Sequence, residues 1–237
     1  MGLYKDNENV TLPSKKNKVE AARRIEFSLA EIDEMLKAWE KEETLFFSEQ
    51  VIRSLFDDGT KGVSEKVEKE FLKVCIVNQI YGTNLYSEDI LHIAKYLSRN
   101  ADKINEKLYS EDVTAISDIT CSIKDTIGKY CYSFATKYCS FAAPDEIKDS
   151  FPIYDSYMAI LYKIRTDRWN PHNEKGFYKY YFDPWEGKSE HDAIRYTMYR
   201  KAVHMMQAEL ATVKKLTVKQ LDQYLWKVMK EYSEKIN

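Results

Sequence analysis

Apolar residues along this chain recur three and four positions apart, a spacing that predicts one helix after another. Ser28-Leu29-Ala30-Glu31 has the Ser-x-x-Glu form of a capping box and opens a helix running to about Trp39. A second helical stretch spans about Glu42 to Phe56, and Asp57-Asp58-Gly59 stops it. Ser64 is placed to cap the next helix, where Val67, Phe71, Val74, Cys75 and Ile80 keep helical spacing up to a break at Gly82. Ser87-Glu88-Asp89 starts another, carrying Ile90, Ile93, Ala94 and Leu97. Further helices are predicted over 112–126, 129–142, 156–166, about 189–211 and 217–235. The last places Val218, Leu221, Tyr224, Leu225, Val228 and Met229 on one face. Alternation with a period of two persists nowhere, so the predicted fold is all-α.

Composition narrows the class. With 237 residues, 44% apolar, and only seven glycines and five prolines, the chain can bury a large core as one domain or two packed subdomains. No apolar run approaches the length of a membrane span, so no membrane partner is expected. The first twenty residues are polar and Lys-rich without the apolar run of a secretory signal; a leader over 1–20 and a cytoplasmic location are expected. Cys75, Cys121, Cys131 and Cys139 fall at unpatterned spacings within helical stretches and read as reduced, largely buried thiols. A net charge of −2 provides no global attraction to nucleic acid, so any such footprint must be local, for example Lys163-Arg165-Arg168 or Arg195-Arg200-Lys201. His92, His172, His191 and His204 form no HExxH or HxH pair, and no Walker A, GxSxG or GxGxxG motif occurs; neither metal nor other cofactor is expected.

Two segments stand out as chemistry. Phe151-Pro152-Ile153-Tyr154-Asp155-Ser156 is an extended, Pro-containing stretch that ends where a helix of Met158, Ile160, Leu161 and Ile164 begins. Asp155 is therefore a natural N-cap, and the helix end that it caps also keeps its carboxylate ionised. A fixed negative charge of that kind stabilises a developing cation or activates a water. Eighteen residues earlier Lys137 follows Ser133-Phe134-Ala135-Thr136 on an apolar helix. A helical lysine is ordinarily solvated; among Ala135, Tyr138, Cys139 and Phe141, partial burial would instead make it a usable nucleophile.

Together these segments resemble the helix-hairpin-helix DNA glycosylases, the group of endonuclease III and the 8-oxoguanine glycosylases. Ser133-Phe134-Ala135-Thr136-Lys137 takes the place of that family's Gly-x-Gly-x-Lys turn, and Pro152-Ile153-Tyr154-Asp155-Ser156 that of its aspartate segment. Upstream, Val77-Asn78-Gln79-Ile80-Tyr81-Gly82-Thr83-Asn84 resembles the stretch that wedges the duplex open when a base is flipped. Both hairpin glycines are replaced, by Ser133 and Ala135, and no four-cysteine iron–sulfur loop follows Cys139. The likeness covers roughly residues 65–165.

The resemblance implies a DNA N-glycosylase, with or without lyase activity, that excises a damaged or modified base in repair or antiviral defence. Its fold would have two helical subdomains, one from both termini (21–64 and 167–237) and a helix-hairpin-helix-like one over 65–166. Asp155 and Lys137 would be catalytic. Tyr81, Thr83, Asn84, Ser133, Thr136 and Tyr154 would contact substrate, with Tyr81 the wedge, partly exposed at the mouth of the cleft. The partner would be double-stranded DNA, bound by a monomer. The aromatic run Phe177 to Phe182 would either close over the core or stack on the flipped base. The rival reading is a non-catalytic helical module for nucleic-acid or protein binding.

Overall fold

The computed structural model describes residues 14–57, 65–165 and 189–236. The expected cap Ser64, the stop at Asp58-Gly59 and the run Phe177 to Phe182 lie outside these residues. What is described is helical: α1 (Lys15–Arg24), α2 (Leu29–Lys41), α3 (Glu43–Asp57), α4 (Lys66–Tyr81), α5 (Ser87–Arg99) and α6 (Ala101–Tyr109). Then follow α7 (Thr114–Ile127), α8 (Tyr132–Ala142), a 3-10 turn (Lys148–Ser150), α9 (Ser156–Ile164), α10 (Ser189–Leu210) and α11 (Val218–Glu234). No strand occurs among the described residues, so the fold is all-α, as the apolar spacing predicts.

Three departures from the expected elements have local causes. The expected leader over 1–20 gives way to α1 at Lys15, because tertiary contacts rather than amphipathic pattern hold that helix. Asn17 donates from Nδ2 to the carbonyls of Ser233 and Ile236 at 3.3 and 2.6 Å, and Ala21 and Ala22 are fully buried. Helix α6 was not anticipated, because its nine residues carry only Ile104 and Leu108 as buried apolar anchors. Finally, Ser133 to Lys137 do not form a hairpin turn but lie within α8. The turn is made earlier, at Gly128, whose φ of 71° ends α7 in the left-handed region without a Cβ penalty.

Helices α1, α2, α9 and α11 pack on one another, while α4, α5, α7 and α8 form a second group. Helix α3 bridges α2 to α4 and α8, and α10 lies against α7 and α11. One continuous apolar core joins both groups. The capping box at Ser28 is opened to serve this packing. Ser28 Oγ accepts from the Glu31 N–H at 3.2 Å, but the Glu31 carboxylate reaches past Ser28 to the Phe27 N–H at 3.0 Å. It also accepts from the Tyr224 and Tyr232 hydroxyls at 2.5 and 2.7 Å, which fastens α11 to the start of α2. The abundant tyrosines serve the same end: Tyr162, Tyr196, Tyr199 and Tyr224 are fully buried. All four cysteines are free thiols; Cys139 is buried and the other three partly so.

Candidate functional site

The segment that ends in Asp155 is buried without being helical, so its backbone polar groups need partners from elsewhere. The Pro152 and Ile153 carbonyls accept from the Tyr196 and Tyr199 hydroxyls at 2.7 and 2.5 Å. The Tyr154 N–H donates to Thr136 Oγ1 at 3.2 Å, tying the segment to α8. Asp155 then caps α9: its Oδ1 accepts from the Tyr157 and Met158 N–H groups, both at 2.9 Å. The carboxylate is held at the positive end of that helix, and its other oxygen takes no part in the cap.

Lys137 is only 4% exposed, on a helix with no acidic residue in its first turn. Its Nζ donates to Ser133 Oγ at 2.5 Å, one turn back, and lies 5.4 Å above the Tyr81 ring. Burial lowers its pKa from 10.5, against the opposing charges of Asp155 and Asp222. A lysine so placed is closer to a neutral amine than a solvated one.

The loop after α4 is built by Asn78. Its Oδ1 accepts from the Leu85 N–H at 3.0 Å and the Thr83 hydroxyl at 2.8 Å, and its Nδ2 donates to the Leu85 carbonyl. Gly82, at φ 57°, and Asn84, at φ 58°, take the left-handed turns this path requires. Tyr81 does not project as a wedge. Its ring packs against Phe141 with centroids 5.9 Å apart, and its hydroxyl is shut off from solvent with no hydrogen-bond partner among the described residues. Tyr81, partly exposed at the end of α4, is thus wall, and Gly82, Asn84 and Tyr86 are the exposed positions of the loop.

These pieces enclose one cavity of about 520 Å³, of a size to take a nucleobase-sized ligand. Tyr81, Thr83, Asn84, Ser133, Lys137 and Asp155 all line it. Thr136 and Tyr154, expected to contact substrate, do not: Thr136 is fully buried, and both are absorbed in holding the 151–155 segment to α8. The cavity also has walls that the sequence reading missed. Trp39 and Trp226 meet edge to face with centroids 5.5 Å apart, and Tyr157 stands edge-on to Trp226 at 6.3 Å. The Trp39 Nε1 is buried and has no hydrogen-bond partner among the described residues.

Glu49 and Asp222 complete the lining. Lys219 makes an ion pair with Glu49 and lies 3.5 Å from Asp222 Oδ2; Gln223 donates to the other Glu49 oxygen at 2.7 Å. Burial pushes the Asp222 carboxyl up to about 6, with Lys219 opposing and the Asp155 and Glu49 charges adding to the rise. The site therefore joins a buried amine, a capped carboxylate and a second, protonatable carboxylate around an aromatic-walled cavity. A helical wheel of α11 carried the missing signal, since Lys219, Asp222 and Trp226 stand three and four residues apart beside the apolar face.

Residues 31–146 match a family model described as HI_0787_N, N-terminal domain. The match includes Trp39, Tyr81 and Lys137 and stops short of Asp155 and Asp222. A Haemophilus influenzae protein that bears the name "Uncharacterized protein" is 29% identical over 170 residues, covering 70% of this chain and 68% of its own length. No solved structure matches. Among the described residues, no helix is long and apolar enough to cross a membrane.

Proposed function

We propose that the cavity is the active site of a DNA glycosylase of helix-hairpin-helix type, which takes a flipped, damaged or modified base between its aromatic walls. The observation that supports this most is the convergence of Lys137 and Asp155, eighteen residues apart in sequence, on one aromatic-walled cavity with room for a nucleobase. Thr83 and Asn84 at its rim would meet the duplex where the base leaves the stack. Lys18, which donates to Ser156 Oγ at 3.0 Å beside the entrance, would meet a phosphate.

The chemistry follows from the two charges. As the N-glycosidic bond lengthens, positive charge grows on the deoxyribose ring, and the fixed Asp155 carboxylate lowers the energy of that state. Lys137, deprotonated, attacks C1′; the bond to the base breaks and its electron pair leaves with the base. The base release that this reading requires is tested by incubating the protein with genomic DNA of differing modification and identifying released bases by mass spectrometry. Borohydride trapping then assigns the role of Lys137: the parent yields a covalent protein–DNA adduct and Lys137→Gln yields none. Base release with no adduct would leave Lys137 as a recognition group. Duplex binding with no released base from any DNA would support the non-catalytic module instead.

A further inference from the structure

Two proton transfers in that reaction have no residue assigned. Lys137 must lose a proton before its lone pair can attack, and the departing base must gain one. Asp155 is committed to the α9 cap through Oδ1. Asp222 caps nothing, its side chain is 17% exposed, and it lines the same cavity as Lys137 and Asp155. Its charge reaches Lys137, and Lys219 holds its Oδ2 from 3.5 Å. Helix α11 is itself anchored by the Glu31 contacts with Tyr224 and Tyr232, so the carboxylate stands on a fixed support.

We propose that Asp222 is the proton acceptor of the site, taking the proton of the Lys137 ammonium and giving it to the departing base; this rests on the glycosylase reading. The transfer balances. Lys137–NH3+ and Asp222–COO− become amine and carboxylic acid; the amine lone pair forms the C1′–Nζ bond, the C1′–base pair leaves with the base, and the Asp222 proton neutralises it. Asp222 ends ionised again, and the positive charge stays on Nζ. A carboxyl that titrates near 6 is suited to both halves of this exchange at neutral pH.

The charged groups facing Asp222 are Lys219 beside it, Glu49 on α3, Lys137 on α8 and Asp155 at the start of α9. Across a water-sized cavity on its other side stand Arg53 of α3 with Lys148 and Asp149 of the 3-10 turn. Tyr81 of α4, Tyr162 of α9, and Tyr196 and Tyr199 of α10 are the neighbouring phenols, all held neutral by burial. Lys219, hydrogen-bonded to Asp222, draws its pKa down.

Single-turnover base release measured from pH 5 to 9 tests the assignment. The parent should show an acid limb near pH 6, where Asp222 loses its proton. Asp222→Asn should slow release about a hundredfold at neutral pH and abolish that limb. Lys219→Gln removes the charge that holds the carboxyl down and should move the limb to higher pH; it carries the test if Asp222→Asn fails to fold. A second readout needs no activity: the 13Cε resonance of Lys137 should step near pH 6 in the parent and lose that step in Asp222→Asn. If the parent releases no base, the glycosylase reading fails, and the Lys137 resonance still decides whether Asp222 couples to it. A limb or step that is the same in Asp222→Asn as in the parent, or unmoved in Lys219→Gln, overturns the proposal.

Discussion

At the scale of single residues, the site depends on one buried amine and two carboxylates in different settings. Holding Lys137 4% exposed disfavours its charged form, and the fold pays for that at neutral pH. The sign is fixed by the direction of the shift. A lysine whose folded pKa lies below 10.5 binds fewer protons folded than unfolded, so its penalty is full below the folded value and fades as pH rises toward 10.5. Lys137→Met, which fills the same space without charge, should therefore be more stable than the parent at pH 7. Its advantage should shrink at pH 10, as chemical denaturation at the two pH values will measure; an equal advantage at both would argue that Lys137 is not desolvated. Asp155 serves the fold as a cap, its Oδ1 accepting from two N–H donors. Asp155→Asn keeps a capping oxygen and should lower stability by at most about 1 kcal/mol, read as a small shift in melting temperature.

At the scale of elements, the 151–155 segment and the α4–α5 loop position the site, and neither gains from helical pattern. Thr136 links the segment to α8 through the Tyr154 backbone. Thr136→Val keeps the shape, leaves the buried Tyr154 N–H without its acceptor, and should cost about 1–3 kcal/mol. Base release should fall with it, because Asp155 is the next residue; a melting temperature equal to the parent's would show that the segment is held by other means. The helices with strong apolar spacing, such as α5 and α11, were legible to within a residue or two, and so was the cap at Asp155. What stayed hidden depends on distant partners. The polar helix α1 is held by the carbonyls of Ser233 and Ile236, and α6 by two side chains. Thr136 and Tyr154 looked like substrate contacts because they flank Lys137 and Asp155 in sequence. In three dimensions they are consumed in joining those flanks. Tyr81 was expected to project because its segment resembles the family's wedge, yet its ring packs on Phe141 at a helix end that Gly82 closes.

At the scale of the whole molecule, the cavity lies where the terminal helices α1, α2 and α11 meet the central helices α4 and α8. Each group supplies part of the lining: Lys137 from the centre, Trp39, Asp222 and Trp226 from the ends. The spacing of Lys137 and Asp155 was readable along the chain, whereas the contribution of α11 required the closure of the fold. With a net charge of −2, the proposed glycosylase would have to attract DNA through few cations near the entrance. Lys18→Gln should therefore weaken duplex binding and reduce the slope of log affinity against log salt by about one, in titrations at several salt concentrations. The central claim is that this cavity breaks N-glycosidic bonds. The most direct measurement is the rate of base release, by mass spectrometry, from modified DNA with the parent and with folded Asp155→Asn. The expected result is release by the parent and a loss of about a hundredfold or more in the variant. Equal rates in the two proteins, or no release by the parent from any modified DNA, would contradict it.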